Sequence, residues 1–263
     1  MIVLSLFDGI SCGQVALKRA GFKPSVYFAS EIDKYAIQIT QKNFPKTVQL
    51  GDVKNINFEN FTGSVDLLMG GSPCQDLSIA KNDRKGLEGE RSGLFFYYLN
   101  ALRIIKPRYF LFENVASMSK DSRDIITNLL GVEPILINSA LVSAQNRKRL
   151  YWTNIPNVHQ PEDRGIKLQD VLESGKTVKG ETKSRCVTSS IGRTTDREYF
   201  RKNQGLLIDN GDGIRRIPTP LECERLQTLP DGYTEGISNT QRYKCLGNGW
   251  TVDVIAHILK NIS

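Results

Sequence analysis

The residues best placed to do chemistry lie in loops or strand ends. Cys74 sits in Gly70-Gly71-Ser72-Pro73-Cys74-Gln75-Asp76, directly after the apolar run Val65–Met69. A thiol is mostly protonated at neutral pH, but its thiolate is a strong nucleophile. Glu113, in Phe112-Glu113-Asn114-Val115, follows a second apolar run and is placed to donate a proton. Arg147 and Arg149 alternate in Gln145-Asn146-Arg147-Lys148-Arg149. On an extended segment both face the same way and could fork onto a carbonyl, a carboxylate or a phosphate. Taken singly, each has a plainer reading: a packed loop cysteine, a helix cap, a solvated basic face. The other cysteines, Cys12, Cys186, Cys223 and Cys245, are scattered, and no C-x-x-C pair occurs. They read as reduced packing residues, with no disulfide framework and no metal site. The two histidines, His159 and His257, lack the H-x-E and C-x-x-C of zinc deaminases and read as structural or solvated.

A second set of residues points to a nucleoside. The loop Phe7-Asp8-Gly9-Ile10-Ser11-Cys12-Gly13 lets the backbone turn tightly before a helix. It is not G-x-G-x-x-G, so it does not ask for a dinucleotide pyrophosphate. Glu31 ends the next apolar run, about 20 residues on, where a carboxylate grips ribose hydroxyls. Asp52 follows a short third strand and could accept from an adenine amino group. A nucleoside with no phosphate requirement points to S-adenosylmethionine.

These residues need a scaffold to bring them together. Ile2–Phe7, Val26–Ser30, Val65–Met69, Tyr109–Phe112, Ile135–Ile137 and Leu150–Thr153 read as strands. Between them lie helical patterns at Cys12–Ala20, Lys34–Asn43, Leu94–Ile105 and Arg123–Leu130. That alternation predicts an α/β fold: a doubly wound, mostly parallel sheet with helices on both faces, and ligands beyond the carboxyl ends of the strands. From about Asn157 to Gly213 the apolar periodicity fades, and residues 176–204 hold eight Lys/Arg against three acids. The stretch reads either as a solvated insertion or as a phosphate-contacting lobe. Order returns at Thr219-Pro220-Leu221-Glu222, a capping-box helix start, and Thr251–Ile262 reads as a final amphipathic helix. We therefore expect the chain to divide into 1–155, 156–215 and a return segment at 216–263. Length 263, 40% hydrophobic residues and net charge +7 fit a globular chain that favours polyanions. No apolar run approaches the roughly 18–20 residues of a membrane span. The opening Met1–Phe7 reads as a strand rather than a leader, so the expected compartment is the cytoplasm.

Taken together and in order, these pieces resemble the DNA (cytosine-5)-methyltransferase family. Phe7–Gly13 resembles its cofactor motif, Pro73-Cys74-Gln75 its nucleophile motif and Glu113-Asn114-Val115 its acid motif. Gln145-x-Arg147-x-Arg149 resembles its arginine motif, and 221–227 and 246–252 the two motifs after the variable region. Leu94-Phe95-Phe96, Phe112–Met118 and Asn248-Gly249-Trp250 are similar to the catalytic domain of animal de novo enzymes. The last motif departs from them, reading Gly247-Asn248-Gly249 where they carry an Arg-Ser pair before the tryptophan. The resemblance implies a Rossmann-like methyltransferase, here a bare catalytic unit of the small bacterial or phage kind. It makes 1–155 the catalytic and cofactor-binding domain, 156–215 the target-recognition region and 216–263 the segment completing the catalytic domain. It implies methyl transfer from S-adenosylmethionine, leaving S-adenosylhomocysteine, to carbon 5 of a flipped-out cytosine in double-stranded DNA. Cys74, Glu113, Arg147 and Arg149 would be catalytic. Phe7, Asp8, Gly9, Ile10, Glu31, Ile32, Asp52, Val53, Pro73, Asn248 and Trp250 would hold the cofactor. An RNA cytosine methyltransferase, an inactive accessory member and an NAD(P) enzyme remain rivals. Recognition sequence and oligomeric state, homo-oligomer included, are left open.

Overall fold

The computed structural model describes residues 1–72, 93–211 and 213–263; Pro73 and Cys74 lie outside them. Its frame is a seven-stranded sheet in the order β3-β2-β1-β4-β5-β7-β6. The strands are β1 (Ile2–Leu6), β2 (Val26–Ser30), β3 (Val48–Gln49), β4 (Leu67–Gly70), β5 (Tyr109–Val115), β6 (Ile135–Asn138) and β7 (Lys148–Thr153). The helices are α1 (Cys12–Arg19), α2 (Lys34–Asn43), α3 (Leu94–Ile105) and α4 (Lys120–Leu130). The first five strands run parallel, while β7 lies antiparallel between β5 and β6.

Alternation along each strand divides the core into two layers. Val3, Leu67, Met69, Tyr109 and Leu111 pack on one face with α1, α2 and the C-terminal helices. Leu4, Leu6, Leu68, Phe110 and Phe112 pack on the other with α3 and α4. Each wholly buried Leu here contributes roughly 1.5–3 kcal/mol. Glu113 has the parity of Tyr109 and Leu111, so it points to the first face. One residue earlier or later would have sent it against α3 and α4.

Two strands are longer than periodicity indicates. Glu113, Asn114 and Val115 stand within β5, not after it, because β7 continues the ladder beside them: Glu113 faces Tyr151 and Val115 faces Arg149. The same pairing draws Arg149 into β7.

Beyond Pro156 the chain builds a small three-stranded antiparallel sheet from β8 (Lys176–Thr177), β9 (Ile208–Asp209) and β10 (Arg215–Arg216), with the short α5 (Asp196–Phe200). Its apolar side chains Val187, Ile191 and Leu206 join the first face of the main core. The chain then returns through α6 (Pro220–Leu226), α7 (Asn239–Asn248) and α8 (Val252–Leu259). The capping box at α6 forms as expected: Thr219 Oγ1 accepts from Glu222 N at 3.2 Å, and Glu222 Oε2 accepts from Thr219 N at 2.8 Å. Among the described residues no helix is long and apolar enough to cross a membrane.

Candidate active site

The carboxyl ends of β1, β2 and β3 lie side by side, and three predicted acids gather there. Glu31 is held entirely by backbone donors nearby. Its Oε2 accepts from Gly9 N at 2.8 Å, and its Oε1 from Ile32 N at 2.7 Å and Asp33 N at 2.8 Å. Beside it Ile32 is 74% exposed, a large apolar side chain at the sheet edge. Asp52 caps the short turn after β3, accepting from Lys54 N at 3.0 Å. Asp8 turns inward instead. Its carboxylate accepts from Tyr27 Oη at 2.6 Å and from the Ser11 hydroxyl. Burial pushes its pKa up to about 6, against those two hydrogen bonds. Phe7 and Ser11 both take positive φ, so the loop bends sharply at either side of Asp8. Ile10 and Val53, predicted for the cofactor, are buried in the core beneath this edge.

The second centre is built around Glu113, which is 9% exposed. Arg149 Nε lies 2.8 Å from its Oε1, and Trp250 Nε1 donates to its Oε2 at 3.1 Å. Glu113 and Arg149 share a face and sit diagonally across the β5–β7 ladder, within reach of long side chains. Gly71 leaves room for the carboxylate: a Cβ there would stand 2.8 Å from Glu113 Oε2. One residue on, Ser72 Oγ accepts from Asn114 Nδ2 at 3.4 Å. The segment leading to Cys74 therefore runs beside the acid. Trp250, predicted for the cofactor, is thereby tied to the acid, and Asn248 is an exposed residue at the end of α7.

The two arginines divide their work. Arg147 is 4% exposed and does not reach Glu113. Its Nη1 donates to Val187 O at 2.8 Å, and its Nη2 to Gly249 O at 2.8 Å and Gly247 O at 3.2 Å. Gln145 grips the same region: its Oε1 accepts from Val187 N at 3.0 Å, and its Nε2 donates to Gln227 Oε1 at 2.8 Å. Gly247 permits this closeness, since a Cβ there would lie 2.0 Å from Ser189 N. Alternation does put Gln145, Arg147 and Arg149 on one face, but the first two clamp the small lobe to the return segment. Only Arg149 meets the acid.

Periodicity also left Cys186 among the packing cysteines. Cys12, Cys223 and Cys245 are buried, and burial pushes their thiols up. Cys186 is half-buried, with its sulfur 3.0 Å from Arg147 Nη1. Nothing in the sequence around it marks that contact.

The geometry is that of a sheet edge carrying carboxylates next to a clasped carboxyl group. The family model for C-5 cytosine-specific DNA methylases matches residues 1–178 and 138–263. The chain belongs to that family. Among its relatives, the orphan methyltransferase M.Rho11sI of Bacillus phage rho11s is 35% identical over 189 residues, which is 66% of this chain. The match takes in only 37% of that phage protein's length. The type II methyltransferase M.NlaX of Neisseria lactamica is 27% identical over 301 residues, covering 99% of this chain and 95% of its own. In fold, the chain is similar to the Entamoeba histolytica methyltransferase EhMeth. That likeness has a TM-score of 0.79 at 18% identity and covers 99% of this chain and 97% of that one. Within the C-5 methylase family, then, this member carries its acid on β5, with one arginine bound to it and a second locking the lobe.

Proposed function

We propose that this chain methylates carbon 5 of cytosine in double-stranded DNA, using S-adenosylmethionine and a covalent bond from Cys74. The observation that carries the proposal is the Glu113 carboxyl, clasped by Arg149 and Trp250 beside the segment that leads to Cys74.

The sheet edge fits the cofactor. Glu31, fixed by three backbone donors, presents a carboxylate for the ribose hydroxyls, and Ile32 offers an apolar surface that an adenine would cover. Phe7, Gly9 and Asp52 complete that edge in this reading. Bound there, S-adenosylmethionine supplies an electrophilic methyl and leaves as S-adenosylhomocysteine.

Cytosine carbon 5 is a weak nucleophile and lies inside the duplex. The base must be flipped out, which costs a few kcal/mol of unstacking. The Cys74 thiol gives its proton to solvent and the thiolate bonds to carbon 6, while protonated Glu113 gives a proton to ring nitrogen 3. Electron density then moves to carbon 5, where the methyl is taken up. Loss of the carbon-5 proton to solvent restores the ring double bond and expels the Cys74 thiolate, and ring nitrogen 3 returns its proton to Glu113. Arg149 keeps Glu113 aimed at the base.

Residues 156–215 serve as the target-recognition region in this proposal. Lys179, Arg193, Arg197, Arg201, Lys202 and Arg215 are exposed there. Phe200, 42% exposed, stands between Lys179 and Arg215, each about 5 Å from its ring. Cations beside an exposed ring suit phosphates and an unstacked base, and such binding weakens steeply with salt.

The test is transfer of labelled methyl from S-adenosylmethionine to mixed-sequence duplex DNA, with transfer RNA and a Cys74→Ala variant alongside. Label in DNA cytosine from the native chain alone is the expected result. Label confined to RNA, or retained by Cys74→Ala, would overturn the proposal.

A further inference from the structure

We propose that Cys186 is a positioning residue: its sulfur, carried on the small lobe, holds the Arg147–Arg149 pair and, through Arg149, the Glu113 carboxyl. The inference rests on the reaction proposed above and adds to it a direct link between lobe and acid.

The backbone around Cys186 is fixed from both sides. Ser184 N donates to Ala144 O at 2.7 Å and Asn146 N to Ser184 O at 2.8 Å. Val187 is held by its N–H on Gln145 and by its carbonyl on Arg147. The sulfur has little freedom, and it lies where two cations meet. Arg147 Nη1 is 3.0 Å away and Arg149 Nη2 is 4.0 Å away. Arg149 in turn places its Nε 2.8 Å from Glu113 Oε1. Neighbouring Arg185 turns elsewhere, stacking 4.5 Å from the Tyr199 ring. Among the described residues, the charged groups facing the sulfur are thus Arg147 and Arg149, with Glu113 beyond them.

Burial pushes the Cys186 thiol up, but the two guanidinium groups outweigh it and hold the thiol below its ordinary value. A sulfur within reach of two guanidinium groups is an anchor for both. Arg147 has three carbonyl acceptors besides it, so its place in the core does not depend on sulfur. Arg149 is more exposed, with its side chain at 15%, and its orientation decides how Glu113 is presented. Cys186 belongs to the 156–215 stretch and Glu113 to the sheet, so the contact through Arg149 joins the two.

The experiment compares native enzyme with Cys186→Ala, Cys186→Ser and Cys186→Asp in methyl transfer to duplex DNA. Cofactor affinity is measured separately by calorimetry. Cys186→Ala is expected to lower kcat about tenfold with cofactor affinity unchanged, and Cys186→Asp, which keeps an anion, to recover more than Cys186→Ser. A kcat for Cys186→Ala within about twofold of native overturns the inference while leaving the reaction standing. No methyl transfer by the native chain overturns the reaction itself. Should the variants fail to fold, iodoacetamide labelling of the native protein decides. Trypsin releases Cys186–Arg193 as its own peptide, and its labelling rate is followed against pH. A midpoint clearly below the ordinary thiol value of about 8.5 supports the contact; a midpoint at or above it overturns the contact.

Discussion

The edge around Glu31 and the clasp around Glu113 stand on the same sheet but are assembled differently. At the edge, Glu31 bonds to donors 22, 1 and 2 positions away, and Asp52 caps a turn two residues on. At the clasp, Glu113 meets Trp250 across 137 positions, and Arg147 meets Gly249 across 102. The edge takes shape as soon as β1, β2 and β3 pair. The Arg149 half of the clasp forms when β7 pairs with β5, and the Trp250 half only when the return segment has docked. A contact of long sequence separation forms late and at greater entropic cost. The edge around Glu31 is thus a local property of the first third of the chain, whereas the Glu113 clasp draws on distant segments.

That difference can be broken or sharpened experimentally. The largest effect is expected at Glu113. Glu113→Gln keeps the size of the side chain and removes the proton donor, so kcat should fall by about 10²–10⁴ while calorimetry finds cofactor affinity intact. An equal loss of affinity would merge the two regions into one. Next comes Arg147→Ala. It strips a buried cation from the carbonyls of Val187, Gly247 and Gly249. Urea unfolding should show a loss of roughly 3 kcal/mol, since buried acceptors lose a charged donor. A loss below about 1 kcal/mol would mean the clasp does not depend on this clamp.

The smallest effect is at the edge. The pKa of Asp8 in the folded chain is raised to about 6 from an ordinary 3.8, so the folded state binds this proton more tightly than the unfolded state does. Its contribution is fully present below about pH 4 and is lost as pH rises through 6, amounting to at most about 3 kcal/mol. Asp8→Asn cannot titrate. Between pH 4 and 7 its stability curve should therefore fall less than that of the native chain in parallel thermal melts. Matching slopes would show that Asp8 titrates normally and that the edge is open to water.

How far the site could be read beforehand follows the same division. The loop at Phe7–Gly13, the acid at Glu31 and the turn at Asp52 sit at the ends of short apolar runs, where a period of two and a glycine are visible in the chain. The α6 capping box was equally legible, because its partners are three residues apart. The ends of β5 and β7 were not. Periodicity closes β5 at Phe112, since a carboxylate and an amide look like loop, yet the antiparallel partner extends the ladder through Val115. The bond from Trp250, expected at the cofactor, to Glu113 spans 137 positions, which no local spacing marks. Cys186 was grouped with three packing cysteines that it does not behave like.

Residue order by itself determined the alternation of strand and helix, the layering of apolar side chains and the common face of Gln145, Arg147 and Arg149. Each of these depends only on backbone periodicity, which repeats every two or 3.6 residues whatever lies across the sheet. What each of those three side chains does was decided by tertiary structure. The carbonyls that take up Arg147 come from residues 187, 247 and 249, while Glu113, which takes up Arg149, comes from the neighbouring strand. Two arginines of identical chemistry, two residues apart, have different roles because a buried guanidinium is bound by whichever acceptors surround it, and those are set by the packing of distant segments.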